Sequence, residues 1–193
     1  VTTTSKSPIS SWKDLVDKAR GSPGNQKWVG SFFGSKSHIL GHVVSKKVGI
    51  TITSVPFLGS ADAIVALLGN HVDVFVGNPR ELIGHVEAGK VKFIATFSSK
   101  RLEEFPDLQT LREMGVDVVG THWRGFVVKK GTPAEVIKIL HDGFKKTMLE
   151  PEWIDFVKKS GLAEGYLPQK DFFELTKSET ETIKATLAEI GFK

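Results

Sequence analysis

The sequence contains no cysteine in its 193 residues. This absence excludes disulfides and thiolate chemistry and is compatible with either the cytoplasm or the periplasm. No apolar run is long enough to span a membrane, since the most apolar segment, residues 61–68, is interrupted by Asp62. No cleavable leader is visible either; the chain begins at Val1, and we therefore expect upstream residues to have been trimmed. The 26 basic and 22 acidic residues give a net charge of +4. The basic residues are spread along the chain, so we expect no nucleic-acid partner.

The residues that are present alternate short β-branched runs with helical segments, which predicts an α/β fold with a mainly parallel sheet flanked by helices. Helix starts are predicted at capping residues near positions 11, 35, 60, 78, 110 and 132, and strands at 27–30, 50–57, 72–76 and 91–97. A long extended stretch is predicted at 116–128. Beyond residue 120 helices dominate, the last one from about 170 to 190, so residues 120–193 are expected to belong to a domain whose sheet lies mostly outside this chain.

Three strand-to-helix turns are the candidate binding elements. The first is the glycine-rich loop at residues 30–37, the second is at residues 59–61, and the third is at residues 77–79. Free N–H groups and the positive end of a helix make such junctions natural anion sites. In a parallel sheet all three turns lie at the carboxyl ends of strands, the edge at which α/β proteins bind ligands. Tight turns without any ligand would give the same pattern.

Other chemistries are weaker interpretations of the same residues. The loop at 30–37 is one residue away from a P-loop, because Ser35 occupies the position of the second glycine. His38 and His42 are four apart on one helix but have no third metal ligand nearby in sequence. No G-x-S-x-G nucleophile motif is present. We therefore predict no enzyme activity, no metal and no cofactor.

The ordered series of motifs resembles the receptors of the tripartite tricarboxylate transporters, the Bug-type periplasmic solute-binding proteins. The resemblance runs through nearly the whole chain, in the segments Trp12-Lys13-Asp14-Leu15 with Gly24, Gly30-Ser31…Gly34-Ser35…His38, Val55-Pro56-Phe57…Gly59…Ala63, Leu67-Leu68-Gly69…Val72-Asp73, Ile83 with Gly89-Lys90, Arg101…Pro106-Asp107…Thr110…Glu113…Gly115, Trp123…Gly125-Phe126 and Gly131-Thr132-Pro133.

The resemblance implies a two-lobed, type II periplasmic-binding-protein-like fold that closes on a small carboxylate, held by main-chain N–H groups of strand-to-helix loops. It divides the chain into residues 1–118, the complete second lobe, and residues 119–193, a crossover strand with the helical C-terminal part of the first lobe. The N-terminal part of the first lobe is expected to be missing. The ligand-binding residues implied here are Ser31, Phe33, Gly34, Ser35, Lys36, Gly59, Ser60, Ala61, Gly77 and Asn78.

The loop departs from the family at Phe32, Phe33 and Lys36, where small residues are usual. Our hypothesis is that Lys36 pairs with a second acidic group of the ligand and Phe33 walls the pocket; an outward-facing lysine is the alternative. The predicted function is that of a monomeric periplasmic receptor that delivers a carboxylate (a di- or tricarboxylate, an amino acid or an aromatic acid) to membrane permease subunits. The alternatives are an effector-sensing module of a regulator and, less favoured, a phosphate-binding enzyme.

Overall fold

A computed structural model describes residues 1–120, 122–159, 162, 165–189 and 191 of the chain. The chain divides into two compact units, one formed by Val1–Thr121 with Lys177–Lys193 and the other by His122–Thr176. The strands are β1 (Thr2–Thr4), β2 (Lys27–Val29), β3 (Thr53–Ser54), β4 (Val74–Phe75) and β5 (Val91–Phe93). The helices are α1 (Trp12–Gly21), α2 (Lys36–Val48), α3 (Ser60–Leu68), α4 (Ile83–Glu87), α5 (Ala134–Thr147), α6 (Pro151–Lys159) and α7 (Gln169–Glu189), with a 3-10 turn at Pro79–Glu81. No helix in the described ranges is both long enough and apolar enough to cross a bilayer.

The first unit is built on one five-stranded sheet with the order β3-β2-β4-β1-β5. Strand β2 pairs in parallel with both β3 and β4, whereas β1 is antiparallel to both β4 and β5. Four of the five strands therefore point the same way, and the predicted α/β fold with a mainly parallel sheet is confirmed. The exception, β1, consists of three threonines that the sequence analysis did not identify as a strand.

Side chains alternate between the two faces of the sheet, and each face has its own hydrophobic core. Trp28 and its paired neighbour Val74 share one core with residues of α1 and α2, while the next pair, Val29 and Phe75, shares the other with residues of α3. This alternation is the period of two expected for a strand covered on both faces. The sheet is thus the middle layer between two layers of helices.

Local capping signals correctly predict the ends of α1 and α2. The Ser11 hydroxyl accepts a hydrogen bond from the Asp14 amide at the start of α1, and the Ser35 hydroxyl accepts one from the His38 amide at the start of α2. Helix α2 ends at Gly49, whose backbone is left-handed at φ 68°. These features depend only on residues within one turn, which is why the sequence indicates them reliably.

The helix predicted at residues 110–115 is instead an isolated turn. The capping box itself forms, because the Thr110 amide donates to the Glu113 carboxylate (2.8 Å) and the Glu113 amide donates to the Thr110 hydroxyl (3.1 Å). The chain then reverses at Gly115, at φ 80°, and the Val116 amide donates to the Leu111 carbonyl. A capping box satisfies the first amides of a turn but cannot extend a helix past a left-handed glycine.

Several predicted boundaries are also wrong. Helix α5 is preceded by Pro133, not capped by Thr132, whose hydroxyl donates to the Lys129 carbonyl. The strand predicted at 50–57 is reduced to β3, since Pro56 has no N–H to continue the pairing. The strand predicted at 91–97 ends at Phe93, and the described residues of 116–128 form no strand. Ile190, the predicted end of the last helix, lies outside the described residues.

The described residues of the second unit form almost no core of their own. Of its large hydrophobic side chains, Val157 is buried, whereas helix α5 has no buried residue. Local aromatic contacts are present: Phe126 stacks on Phe144 at 3.9 Å between ring centroids, and Trp123 meets Phe172 edge to face. Apolar faces of this extent on a small unit are typical of surfaces that pack against another part of a protein.

Candidate functional site

The candidate site is the edge of the sheet where β2, β3 and β4 end. These three strands are neighbours and run in parallel, so the turns that follow them lie at one edge, where α/β proteins bind ligands. A hydrogen bond joins two of the turns, since the Ser60 hydroxyl donates to Oε1 of Glu81 at 2.8 Å. Glu81 was not among the predicted site residues.

The first turn, residues 30–35, leads into the longest helix at this edge, α2. Two of its amides are already satisfied: Ser35 N–H donates to the Phe32 carbonyl (2.9 Å), and Gly34 N–H donates to Nδ1 of His38 (3.1 Å). The amides of Lys36 and Ser37, in the first turn of α2, donate to no acceptor in the described part of the chain. These two amides, together with the positive end of the helix, are the donors that an anion would meet.

Two residues outside the predicted set shape this turn. A Cβ on Gly30 would lie 2.8 Å from the His38 amide nitrogen, so only glycine lets the end of β2 approach the first turn of α2 so closely. His38 orders the loop through its bond to Gly34 and through contact with the Phe33 ring, 4.6 Å away between centroids. The spacing of His38, three residues after the capping Ser35, was the signal available in the sequence.

His38 remains an acceptor because it resists protonation. Its partial burial lowers the pKa of the imidazole, and the neighbouring charge of His42 lowers it further. The acceptance of the Gly34 N–H at Nδ1 places the ring proton of the neutral form on Nε2. At neutral pH the loop is therefore held by a neutral histidine. In the described residues no three His, Asp or Glu side chains are grouped as metal ligands.

Lys36, the residue assigned to a second acidic group of the ligand, has a partner within the protein. Its ammonium donates to both carboxylate oxygens of Glu179 in α7, at 2.6 and 2.8 Å. The alternative of an outward-facing lysine does not describe this side chain, which is four-fifths buried. The sequence contained no signal for the pair, because 143 residues separate its members.

The second turn differs from the prediction in its cap. Gly59, not Ser60, precedes α3 as the N-cap and makes no side-chain hydrogen bond. Ser60 is the first residue of α3, and the exposed Ala61 is the second. A side chain added at Gly59 would meet no other atom, so this turn is open to solvent.

The third strand-to-helix turn leads into a short 3-10 helix, whereas the sequence predicted an α-helix there. The Asn78 side chain accepts a hydrogen bond from the Arg80 amide (3.1 Å) and so caps Pro79–Glu81. Three residues carry little of the dipole of a full helix. Gly77 packs directly on the buried Phe75 ring, and Ser31, in the first turn, is half-buried.

Of two cavities among the described residues, the one large enough for a ligand lies away from this edge. One of about 700 Å³ is lined by Trp12, Arg20 and Met114 and contains none of the predicted residues. The crevice at Gly30, Ser37 and His38 measures only about 10 Å³, too little for more than a single water. These two cavities therefore give the edge no closed pocket of ligand size.

The sheet order and its parallel strand-end turns define an α/β fold of the periplasmic-binding-protein type. Comparison with known proteins identifies the particular group. The sequence profile described as "Tripartite tricarboxylate transporter family receptor" matches residues 1–192, and the chain belongs to this family.

Three similar proteins illustrate the relationship. The UPF0065 protein in the gbd 5′ region of Cupriavidus necator is 28% identical over 185 residues, 96% of this chain and 56% of that protein. A TctC solute-binding protein from Polaromonas, solved without ligand, superposes with a TM-score of 0.84 at 24% identity, covering 97% of this chain and 65% of that one. Rpa4515 of R. palustris, solved with adipate, gives a TM-score of 0.83 at 24% identity, and the match covers 97% of this chain and 64% of Rpa4515. The chain thus spans little more than half the length of the curated relative.

Proposed function

We propose that this chain is part of a periplasmic receptor that captures a small carboxylate for a tripartite tricarboxylate transporter. The receptor would be a monomer that binds its ligand without a cofactor and catalyses no reaction. It would pass the ligand to membrane permease subunits. The observation that carries this proposal is the start of α2. There the amides of Lys36 and Ser37 have no acceptor among the described residues, and the same first turn carries the Lys36 side chain with its ammonium. Amides, helix dipole and ammonium together suit a carboxylate.

In this proposal the two carboxylates of a dicarboxylate ligand bind to different groups of the protein. One carboxylate would accept hydrogen bonds from the amides of Lys36 and Ser37, and the other would pair with the Lys36 ammonium. Phe33, 41% exposed beside His38, would cover the apolar chain between them. Ser31, Gly34 and Ser35 would shape the loop, and the turns at 59–61 and 77–78 would border it. A related fold solved with adipate supports the choice of a dicarboxylate as the first ligand to test.

We further propose that residues 1–118 form the second lobe of the receptor and residues 119–193 the returning part of the first. The compact units divide differently near the C-terminus, because 177–193 groups with the first unit. The exposed apolar faces of residues 122–176 support the assignment, since the returning part of a lobe needs the remainder of its sheet to cover it.

Isothermal titration calorimetry of the full chain against adipate, citrate, aspartate, nicotinate and ATP with Mg²⁺ tests the proposal. We expect saturable binding of at least one carboxylate, and weakening of adipate binding by about tenfold or more in Lys36→Ala, because a charge-assisted hydrogen bond is lost. Lys46→Ala is the matched control, since Lys46 lies on the same helix and also pairs with a glutamate of α7. Binding of ATP with Mg²⁺ alone, or of none of these compounds, would refute the proposal.

A further inference from the structure

Helix α2 and the C-terminal half of α7 lie side by side within the first unit, and in the described residues two lysine–glutamate ion pairs join them. Lys36 bonds Glu179 at 2.6 and 2.8 Å, and Lys46 bonds Glu189 at 2.8 and 2.9 Å. Each pair joins residues 143 positions apart. Because ten residues of helix, about 15 Å, separate the pairs on both helices, α2 and α7 run parallel and in register.

The two ion pairs lie in different surroundings. The side chains of Lys36 and Glu179 are only 20% and 25% exposed, whereas those of Lys46 and Glu189 are 65% and 47% exposed. An exposed pair is screened by water and contributes little, while a partly buried pair keeps more of its attraction. The first pair is therefore the stronger contact, and it is the one at the candidate site.

The position of Lys36 explains why a carboxylate is favourable there. A cation in the first turn of a helix lies close to the positive end of the helix dipole, an unfavourable arrangement. The Glu179 carboxylate offsets it by accepting two charge-assisted hydrogen bonds from the ammonium. Glu179 thus occupies the position that the proposed function assigns to the second carboxylate of a ligand.

We propose that Glu179 is an internal competitor for the Lys36 ammonium, which a dicarboxylate must displace to bind. This inference rests on the proposed function and adds to it a way in which ligand binding is regulated. Displacement separates the 177–181 segment of α7 from α2, while the Lys46 pair at the far end holds the helices together. The apparent dissociation constant exceeds the intrinsic one, because only the fraction of molecules with Lys36 unpaired accepts the ligand there.

The test compares Glu179→Gln with Glu189→Gln in the full chain by calorimetry. Both substitutions remove one negative charge from the same face of α7, but only Glu179 competes with the ligand. We expect Glu179→Gln to tighten adipate binding about fivefold or more and Glu189→Gln to leave it unchanged. Hexanoate, a monocarboxylate of the same length, serves as the second probe, and its affinity is expected to be the same in all three proteins.

The possible results distinguish a failure of the internal competitor from a failure of the receptor function. If the wild type binds adipate and Glu179→Gln binds it no more tightly, the internal competitor is refuted while the receptor function stands. If no protein, Glu179→Gln included, binds any carboxylate, both proposals are wrong. Hydrogen exchange is the second measurement: adipate should accelerate exchange at residues 177–181 of the wild type but not at residues 186–189. Unchanged exchange at residues 177–181 with adipate bound would also overturn the inference.

Discussion

Gly77 lies in the third strand-to-helix turn at the candidate site. We expect this position to tolerate no side chain. A Cβ added there would lie 2.2 Å from Cε1 and 2.3 Å from Cζ of Phe75, far inside van der Waals contact. The backbone of Gly77 is not in the left-handed region, so the effect of Gly77→Ala is purely steric. Phe75 is fully buried in the core formed with α3, and protein cores are close-packed, so displacement of its ring disturbs its neighbours.

The expected cost follows from the overpacking of a well-packed core. Forced displacement of a buried ring or of the adjoining strand typically costs about 1–3 kcal/mol. In a chain of this size each kcal/mol lowers Tm by roughly 2–4 °C. If the strand end moves and not the ring, the Gly77-Asn78 turn moves with it, and carboxylate binding should weaken as well.

The assay is guanidinium unfolding of the full chain, followed by circular dichroism and by the fluorescence of the buried Trp12 and Trp28. Gly84→Ala is the matched control, because an added Cβ there meets no atom within 4 Å and the residue lies in α4. Alanine is the better helix former, so Gly84→Ala should leave the free energy of unfolding unchanged or raise it by up to about 1 kcal/mol.

A double-mutant cycle isolates the contact with the ring. Leucine at position 75 lacks the two ring atoms that the new Cβ would strike, so Gly77→Ala should cost at least about 1 kcal/mol less in the Phe75→Leu background. The steric argument is wrong if Gly77→Ala changes stability by under about 0.5 kcal/mol in the wild type. Equal costs in the two backgrounds would contradict it as well.

Two further predictions concern buried and partly buried polar groups. Gln26→Leu should lower the free energy of unfolding by about 1–3 kcal/mol. Gln26 is buried, donates a hydrogen bond to the Leu15 carbonyl and accepts one from the Trp28 indole, which would lose its partner. An unchanged denaturation midpoint would contradict this role. His38→Asn should keep an acceptor for the Gly34 amide but remove the titration. Because the pKa of His38 is lowered in the folded state, its contribution is complete above the unfolded pKa of about 6.5 and declines as the pH falls below it. Between pH 7.5 and 5.5 the wild type should therefore lose more stability than His38→Asn, and parallel profiles would argue against a neutral His38.

Features that depend on neighbouring residues were predictable from the sequence. Ser11 and Ser35 cap their helices and Gly49 ends α2, because each effect arises within one helical turn. The parallel order of strands follows from their alternation with helices, and this order brings the three turns to one edge. The ordered motifs along the chain indicated the family correctly, since the family's sequence profile matches residues 1–192.

Tertiary structure alone decided the rest. The three threonines of β1 become a central strand only because the paired strands on both sides supply hydrogen bonds. The partner of Lys36 is 143 residues away, and contacts at such separation depend on how α7 packs, which no local pattern encodes. An anion site at the start of α2 remains a prediction from local sequence, whereas only the packing of α7 reveals that the lysine there already pairs with the Glu179 carboxylate.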